Sequence, residues 1–340
     1  MSMANNCTWF SILRGDDMIV ITEAICQKVI DNKNSFVAVE GVFASMASGD
    51  AYNFPVIRED IGYADAIYGF KSGFDKTAKT LGLKSGGYWP GNMKNGLTNH
   101  QSTIFLFNAD TGQIKAMVGG NYLTAMRTAA ASSVSIEHLA RKNSKVLGFI
   151  GAGHQSTFQL RAAVERRNFE KVVAWNLHKE MLPNLQAVAE ELGLAFEAME
   201  REEVAAQSDV IITITSAHEA LLMKSWIKPG THIACMGTDT KGKQEIDPEI
   251  FAVASVFTDE VAQSISIGEA QHAIKSGIIF KNNITPIGNV INADHIGRKT
   301  DSEITIFDGT GVGLQDLAVA EVAVVAAKKL QLAKNIDVYS

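Results

Sequence analysis

Lys145–Ser156 reads KVLGFIGAGHQS, and the fold turns on how this stretch is read. Val146, Leu147, Phe149 and Ile150 form a short apolar run, as expected of a strand buried on both faces of a parallel sheet. The run leads straight into Gly151-Ala152-Gly153-His154-Gln155-Ser156, and a helical pattern follows from Phe158 to Arg167. Strand, glycine turn and helix together are the setting in which a G-x-G-x-x motif reads as a dinucleotide site. Gly151 can take the dihedrals of a tight turn, and Gly153 carries no side chain to hold a pyrophosphate away. The phosphates would then meet free N–H groups at the helix N-terminus. Ser156 stands where a third glycine is usual and is small enough to let helix and strand pack closely.

Downstream, the strand candidates Lys171–Trp175, Asp209–Thr215, His232–Met236 and Ser255–Thr258 alternate with helical stretches, which predicts a doubly wound α/β fold. Pro183 is expected near the first turn of its helix. A helix is expected over Asp259–Ser276, then a strand at Glu303–Phe307. The last helix, from about Leu314 to Leu332, is apolar nearly all round and should be buried. The strand KVVAW ends at Asn176, where such folds usually place an acid on the adenosine ribose. Asn can bond a ribose without repelling a 2′-phosphate, so NAD(H) is favoured and NADP(H) stays open. Thr215, Ser216, Met236 and Gly237, at the ends of later strands, complete the expected cofactor set.

Upstream the texture differs. Ser35–Ala47 has helical spacing in Phe36, Val39, Phe43 and Met46. Strands are expected at Ala66–Lys71, Leu81–Trp89, Ser102–Phe107 and Ile114–Val118, the last two joined by a turn at Asn108–Gly112. This predicts a mostly antiparallel sheet of its own, followed by a helix over Asn121–Leu139. The expected organisation is a nucleotide-binding unit at 131–309 and a discontinuous α+β unit at 18–130 and 310–340. Residues 1–17 are expected to be a mobile extension; they make a poor signal peptide, and Met18 would serve as an alternative start.

Composition narrows the function classes. A net charge of −6 disfavours nucleic acid or an anionic membrane as partner. Cys7, Cys26 and Cys235 lie far apart without C-x-x-C, which fits a reducing, cytoplasmic setting. The eight histidines show no ligand spacing, so no metal is assigned. No apolar run approaches the ~18 residues of a membrane span.

Several motifs share an order that extends over nearly the whole chain from Met18. They are Leu83-Lys84-Ser85 with Pro90-Gly91-Asn92, Leu123-Thr124-Ala125-Met126-Arg127-Thr128-Ala129-Ala130, Gly151-Ala152-Gly153, and Gly237 to Glu245. Phe307-Asp308-Gly309-Thr310-Gly311 with Gln315-Asp316-Leu317 closes the series. In these the chain resembles the ornithine cyclodeaminase/mu-crystallin family. The resemblance implies a Rossmann domain beside a substrate and dimerisation domain, a homodimer, and hydride exchange between nicotinamide and the α-carbon of an amino or imino acid. It implies that Lys84, Arg127 and Arg58 hold the substrate carboxylate, that Thr128 faces the cofactor, and that Asp239 is catalytic. Lys84 and Asp239 are thus the expected catalytic pair. Each also has an ordinary alternative. Lys84 would be a solvent-facing strand residue and Arg127 a partner of Glu137. Asp239 would close a turn, and Arg58 would pair with Glu59 or Asp60.

Where many members have Met-Pro-Ala, this chain has Phe70-Lys71-Ser72, and Asn99-His100-Gln101-Ser102 replaces an apolar strand start. Lys71, His100 and Ser102 are therefore expected to receive a second carboxylate, because a buried anion needs charge-matched donors. Asp50–Pro55, Tyr68–Gly73 and Gly86–Asn92 resemble the iminosuccinate reductase branch, which implies reduction of iminosuccinate to L-aspartate by NADH. Alanine dehydrogenase, cyclic ketimine reductase, ornithine cyclodeaminase and a non-catalytic, crystallin-like NAD(P)H-binding protein are the alternatives.

Overall fold

A computed structural model describes residues 17–338. The expectation for the N-terminal extension lies outside the described residues, apart from Asp17.

The first part is built on a mostly antiparallel sheet. It comprises β1 (Met18–Ile21), α1 (Glu23–Val29), α2 (Asn32–Ala47), β2 (Ala51–Asn53), β3 (Ile57–Asp60), β4 (Ile67–Asp75), β5 (Thr80–Tyr88), β6 (His100–Asn108), β7 (Ile114–Gly119) and α3 (Asn121–Leu139). Asp31 starts α2 with a reciprocal capping box to Asn34. The β6–β7 turn forms where expected: Asn108 Oδ1 accepts from the amides of Asp110 and Thr111, and Gly112 takes φ +74°.

The second part is a parallel sheet. Its elements are β8 (Val146–Ile150), α4 (His154–Ala163), β9 (Lys171–Trp175), α5 (Leu182–Glu191), β10 (Ala195–Ala198), α6 (Arg201–Gln207), β11 (Val210–Thr213), β12 (His218–Leu222), β13 (His232–Cys235), β14 (Gln244–Ile246), β15 (Ala254–Thr258), α7 (Val261–Ser264), α8 (Ala270–Lys275), β16 (Ile284–Pro286), α9 (Ile287–Ile291) and β17 (Ile304–Asp308). The chain then returns to the first sheet as α10 (Gly313–Lys329) and β18 (Lys334–Ile336).

Strand order in the first sheet is β18-β1-β7-β6-β5-β4-β2, with β3 also on β4. In the parallel sheet it is β10-β9-β8-β11-β13-β17-β15-β16. The direction of winding reverses beside β8, and the crevice at that switch point is where open α/β sheets bind ligands. Pro183 sits at the start of α5, as expected.

The helix expected over Phe158–Arg167 forms four residues earlier, as His154–Ala163, and the largest departure from expectation is in a further helix. Asp259–Ser276 is broken into α7 and α8. At the break, Glu269 N and Ala270 N donate to Asp308, at 3.0 and 3.1 Å. A Cβ on Gly268 would come within 2.6 Å of that carboxylate and 2.7 Å of Ser264 Cα. The tertiary acceptor replaces the helical ones.

Helix α3 lies between the two sheets, against β6 on one side and β13 and β17 on the other. One continuous core runs from Ile19 through Leu123 and Val134 to Leu147 and Phe149. On the first sheet, α10 packs across β4, β5 and β6. Burial alternates along the strands: Ile104, Leu106, Ala116 and Val118 are buried under α10, while Phe105, Phe107 and Met117 point to the other face and are half-buried.

Candidate active site

Alternation along the strands explains how the polar residues converge. Lys71 of β4 lies directly opposite Lys84 of β5, and Arg58 of β3 is opposite Gly69. Ser102 is opposite Gly86, and His100 opposite Tyr88. A period of two puts Arg58, Lys71, Lys84, His100 and Ser102 on one face, the face beneath α10. Two lysines facing each other across a ladder repel, so this arrangement must serve something other than stability.

Helices α3 and α10 supply the counter-charges. Asp316, in the first turn of α10, is fully buried; its Oδ2 is 2.7 Å from Lys84 Nζ and its Oδ1 accepts from Arg127 Nε at 3.1 Å. Arg127 also donates to Gln315 Oε1 at 3.2 Å, and Lys84 to Thr124 Oγ1 at 3.4 Å. Lys71 Nζ donates to Gly311 O at 2.6 Å. Burial pushes the Lys84 ammonium down to about 7, with Asp316 opposing and Arg127 and Lys71 adding to the fall. Burial and Arg127 likewise lower Lys71. Burial pushes Asp316 upward, but Lys84 and Arg127 outweigh it and hold the carboxyl below its usual range. The solvent-facing alternative for Lys84 is thus excluded, and so is the Glu137 alternative for Arg127. Glu137 pairs with Lys142 and Arg167 instead.

Asp239 stands opposite, on the loop after β13. Its carboxylate meets Arg58 at 3.2 Å and Lys243 at 2.8 Å, and accepts from Thr240 Oγ1 at 3.1 Å. Burial acts to raise this carboxyl, and Lys243, Lys71 and Arg58 together drive it well below the usual carboxylate range. Arg58 therefore pairs across the cleft, not with Glu59 or Asp60. Burial, Lys84 and Arg127 lower the His100 imidazole to about 4. Ser102 Oγ lies 3.4 Å from Asn121 Oδ1 and 3.5 Å from Thr124 Oγ1.

The glycine turn sits at the switch point. Gly151 has φ +111°, and a Cβ there would lie 2.6 Å from Ile214 O. Gly153 precedes α4 with no side chain capping the helix, and a Cβ on it would meet nothing within 4 Å. Open space above uncapped amides of His154 and Gln155 suits a pyrophosphate. The buried Gln155 Oε1 has no hydrogen-bond partner among the described residues. Ser156 Oγ donates to Gly153 O, tightening the turn. Asn176 Oδ1 accepts from Ala152 N at 2.9 Å and its Nδ2 donates to His178 O, so its amide braces the glycine turn. Thr128 Oγ1 donates back to Thr124 O, one turn earlier in α3. Thr215, Ser216, Met236 and Gly237 follow the ends of β11 and β13, beside this crevice. These features fit a dinucleotide.

Reading the sequence assigned no role to Asp316, Gln315 or Lys243. A polar pair at the head of an otherwise apolar helix was the available signal for the first two, and the i,i+4 spacing from Asp239 for the third.

The family model of the ornithine cyclodeaminase/mu-crystallin family matches residues 17–329. The chain belongs to the ornithine cyclodeaminase/mu-crystallin family. It is 58% identical over 321 residues to the iminosuccinate reductase of Paracoccus denitrificans, covering 94% of this chain and 100% of that one. The crystal structure of that reductase in complex with NAD+ matches with a TM-score of 0.92 at 57% identity, covering 95% and 100% of the two chains. An archaeal alanine dehydrogenase dimer with bound NAD matches with a TM-score of 0.90 at 31% identity, over 95% and 100%.

Proposed function

We propose that the protein reduces iminosuccinate to L-aspartate with NADH. It is an NAD-dependent oxidoreductase acting on a C=N bond, and NAD(H) is its cofactor. One observation carries the choice of a dicarboxylate: Lys71 and Lys84 face each other in the pocket, and Asp316 bonds directly to Lys84 and Arg127 while Lys71 caps only a carbonyl. That leaves cationic capacity for more than one incoming carboxylate.

The glycine turn at Gly151–Gly153 and the free amides of His154 and Gln155 hold the pyrophosphate, and Ser156, whose amide and hydroxyl both bond Gly153 O, keeps the turn tight. Ala152 and Asn176 shape that turn. Thr128, Thr215, Ser216, Met236 and Gly237 line the nicotinamide side. Bound NADH supplies the hydride for the imine carbon. Arg127, Lys84 and Arg58 grip the α-carboxylate and orient the planar C=N group. Lys71, His100 and Ser102 receive the distal carboxylate. Asp239, ionised at neutral pH, stabilises the protonated imine nitrogen and mediates proton transfer there. Burial lowers the Lys84 ammonium to about 7, so this group can also give up a proton near neutral pH.

Residues 18–130 with 310–340 form the substrate-binding and dimerisation unit, and 131–309 the nucleotide-binding unit. The homodimer uses the face of the first sheet that α10 leaves uncovered. Phe74, Leu81, Leu83, Phe105, Phe107 and Met117 are half-exposed there, an apolar surface of the kind that marks an interface. No helix of the described residues is long and apolar enough to cross a membrane. Free, buried Cys26 and Cys235 suit the cytoplasm. The functional test is steady-state NADH oxidation with iminosuccinate generated in situ from oxaloacetate and ammonium, with L-aspartate measured as product. Equal kcat/KM for the monocarboxylate imine formed from pyruvate would contradict the dicarboxylate assignment.

A further inference from the structure

Two glutamates behind the Asp239 loop take no part in the chemistry above. Glu245 and Glu269 are 0% and 1% exposed. Burying two acids side by side is costly unless their oxygens are satisfied, so their donors show what they hold. Glu245 accepts from Thr213 Oγ1 (2.7 Å), Thr215 N (2.6 Å), Thr215 Oγ1 (2.9 Å) and Gly237 N (2.9 Å). Glu269 accepts from Thr238 Oγ1 (2.5 Å), Glu245 N (2.9 Å) and Ile246 N (2.8 Å). Its own amide is held by Asp308 at the end of β17. The loop fits closely here: a Cβ on Gly237 would lie 2.3 Å from Thr215 O and 2.5 Å from Glu245 Oε1.

Gly237 and Thr238 are the two residues before Asp239. Beyond them, among the described residues, the Asp239 carboxylate meets the side chains of Arg58, Lys243 and Thr240. The backbone before Asp239 is held from behind by the two glutamates, while Gln271 holds the loop after it, accepting from Gly242 N at 2.8 Å. We propose that Glu245 and Glu269 are positioning residues. Glu245 ties Gly237 to the end of β11, Glu269 ties Thr238 to the β14 backbone, and together they fix where the Asp239 carboxylate stands above the lysine pocket. The inference rests on the reading of Asp239 given above.

Thr238→Val removes the hydroxyl that Glu269 holds while keeping the volume, and Thr238→Ser restores it. Thr238→Ala removes the same hydroxyl and serves if the valine variant does not fold. Each is made in the native chain and in Asp239→Asn. The readouts are kcat and KM for in situ iminosuccinate and NADH affinity by fluorescence titration. Thr238→Val is expected to lower kcat roughly tenfold, since small misplacements of reacting groups cost that much. KM and NADH affinity should stay within about twofold of native, Thr238→Ser should keep native kcat, and Thr238→Val should cost nothing further in Asp239→Asn. Native kcat in Thr238→Val, or the same fractional loss in both backgrounds, would overturn the positioning role. Native kcat in Asp239→Asn itself would overturn the reading of Asp239, and this inference with it.

Discussion

The Lys84–Asp316–Arg127 cluster and the Arg58–Asp239–Lys243 cluster hold the same kinds of charge and face the same cleft. They differ in where they are anchored. The first lies within the unit formed by β5, α3 and α10, with side chains 8%, 0% and 10% exposed for Lys84, Asp316 and Arg127. The second joins β3 of one sheet to a loop of the other, with Arg58 and Asp239 35% and 36% exposed. Buried ions cannot rearrange without a large desolvation penalty, whereas a half-exposed pair exchanges partners for water at little cost. On the proposed function, the buried cluster is the fixed template for a carboxylate, and the exposed one is the part free to re-pair when substrate enters.

The contrast breaks most visibly at Asp316. Asp316→Ala strands two buried cations, so the unfolding free energy should fall by about 3–5 kcal/mol. Chemical denaturation checks this, and native stability would place the cluster in water. Asp239→Asn should do the reverse, lowering kcat roughly 100-fold or more while costing stability less than about 1 kcal/mol. Kinetics and denaturation on one preparation separate the two effects. Lys71→Met should raise KM for iminosuccinate roughly tenfold, about 1.4 kcal/mol of binding, and leave a monocarboxylate imine nearly unaffected. Equal KM changes for both substrates would remove Lys71 from the distal site. The last effect is graded with pH. Burial brings Lys84 down to about 7, so its ammonium is present below that pH and lost above it. Since the ammonium meets the carboxylate, kcat/KM should decline as pH rises through that value, approaching tenfold per unit. A flat profile to pH 9 would exclude Lys84 from the titration.

What the sequence made legible follows how local the cause is. The strand and glycine turn at Val146–Gly153, the helix Asn121–Leu139 and the Asn108–Gly112 turn are set by neighbours along the chain, and each stands where periodicity put it. The break at Gly268 depends on Asp308, which is distant in sequence, so a local helical pattern could not reveal it. Asp316 was visible as part of a motif, but its meaning comes from Lys84 on a strand far up the chain. Asn176 shows the same limit: its position at the end of β9 was readable, while its grip on Ala152 N needed coordinates. The outer face of β6 carries Phe105 and Phe107, both half-buried, and these apolar residues blur the alternation of that strand.

The central claim is that a fixed set of cations seats a dicarboxylate with its α-carbon toward the nicotinamide. A crystal structure with NAD+ and L-aspartate tests it most directly. The account predicts the α-carboxylate on Lys84 and Arg127, the side-chain carboxylate on Lys71, and the α-carbon within about 3.5 Å of nicotinamide C4. Aspartate bound away from the two lysines, or a coenzyme lying clear of the Gly151–Gly153 turn, would contradict it.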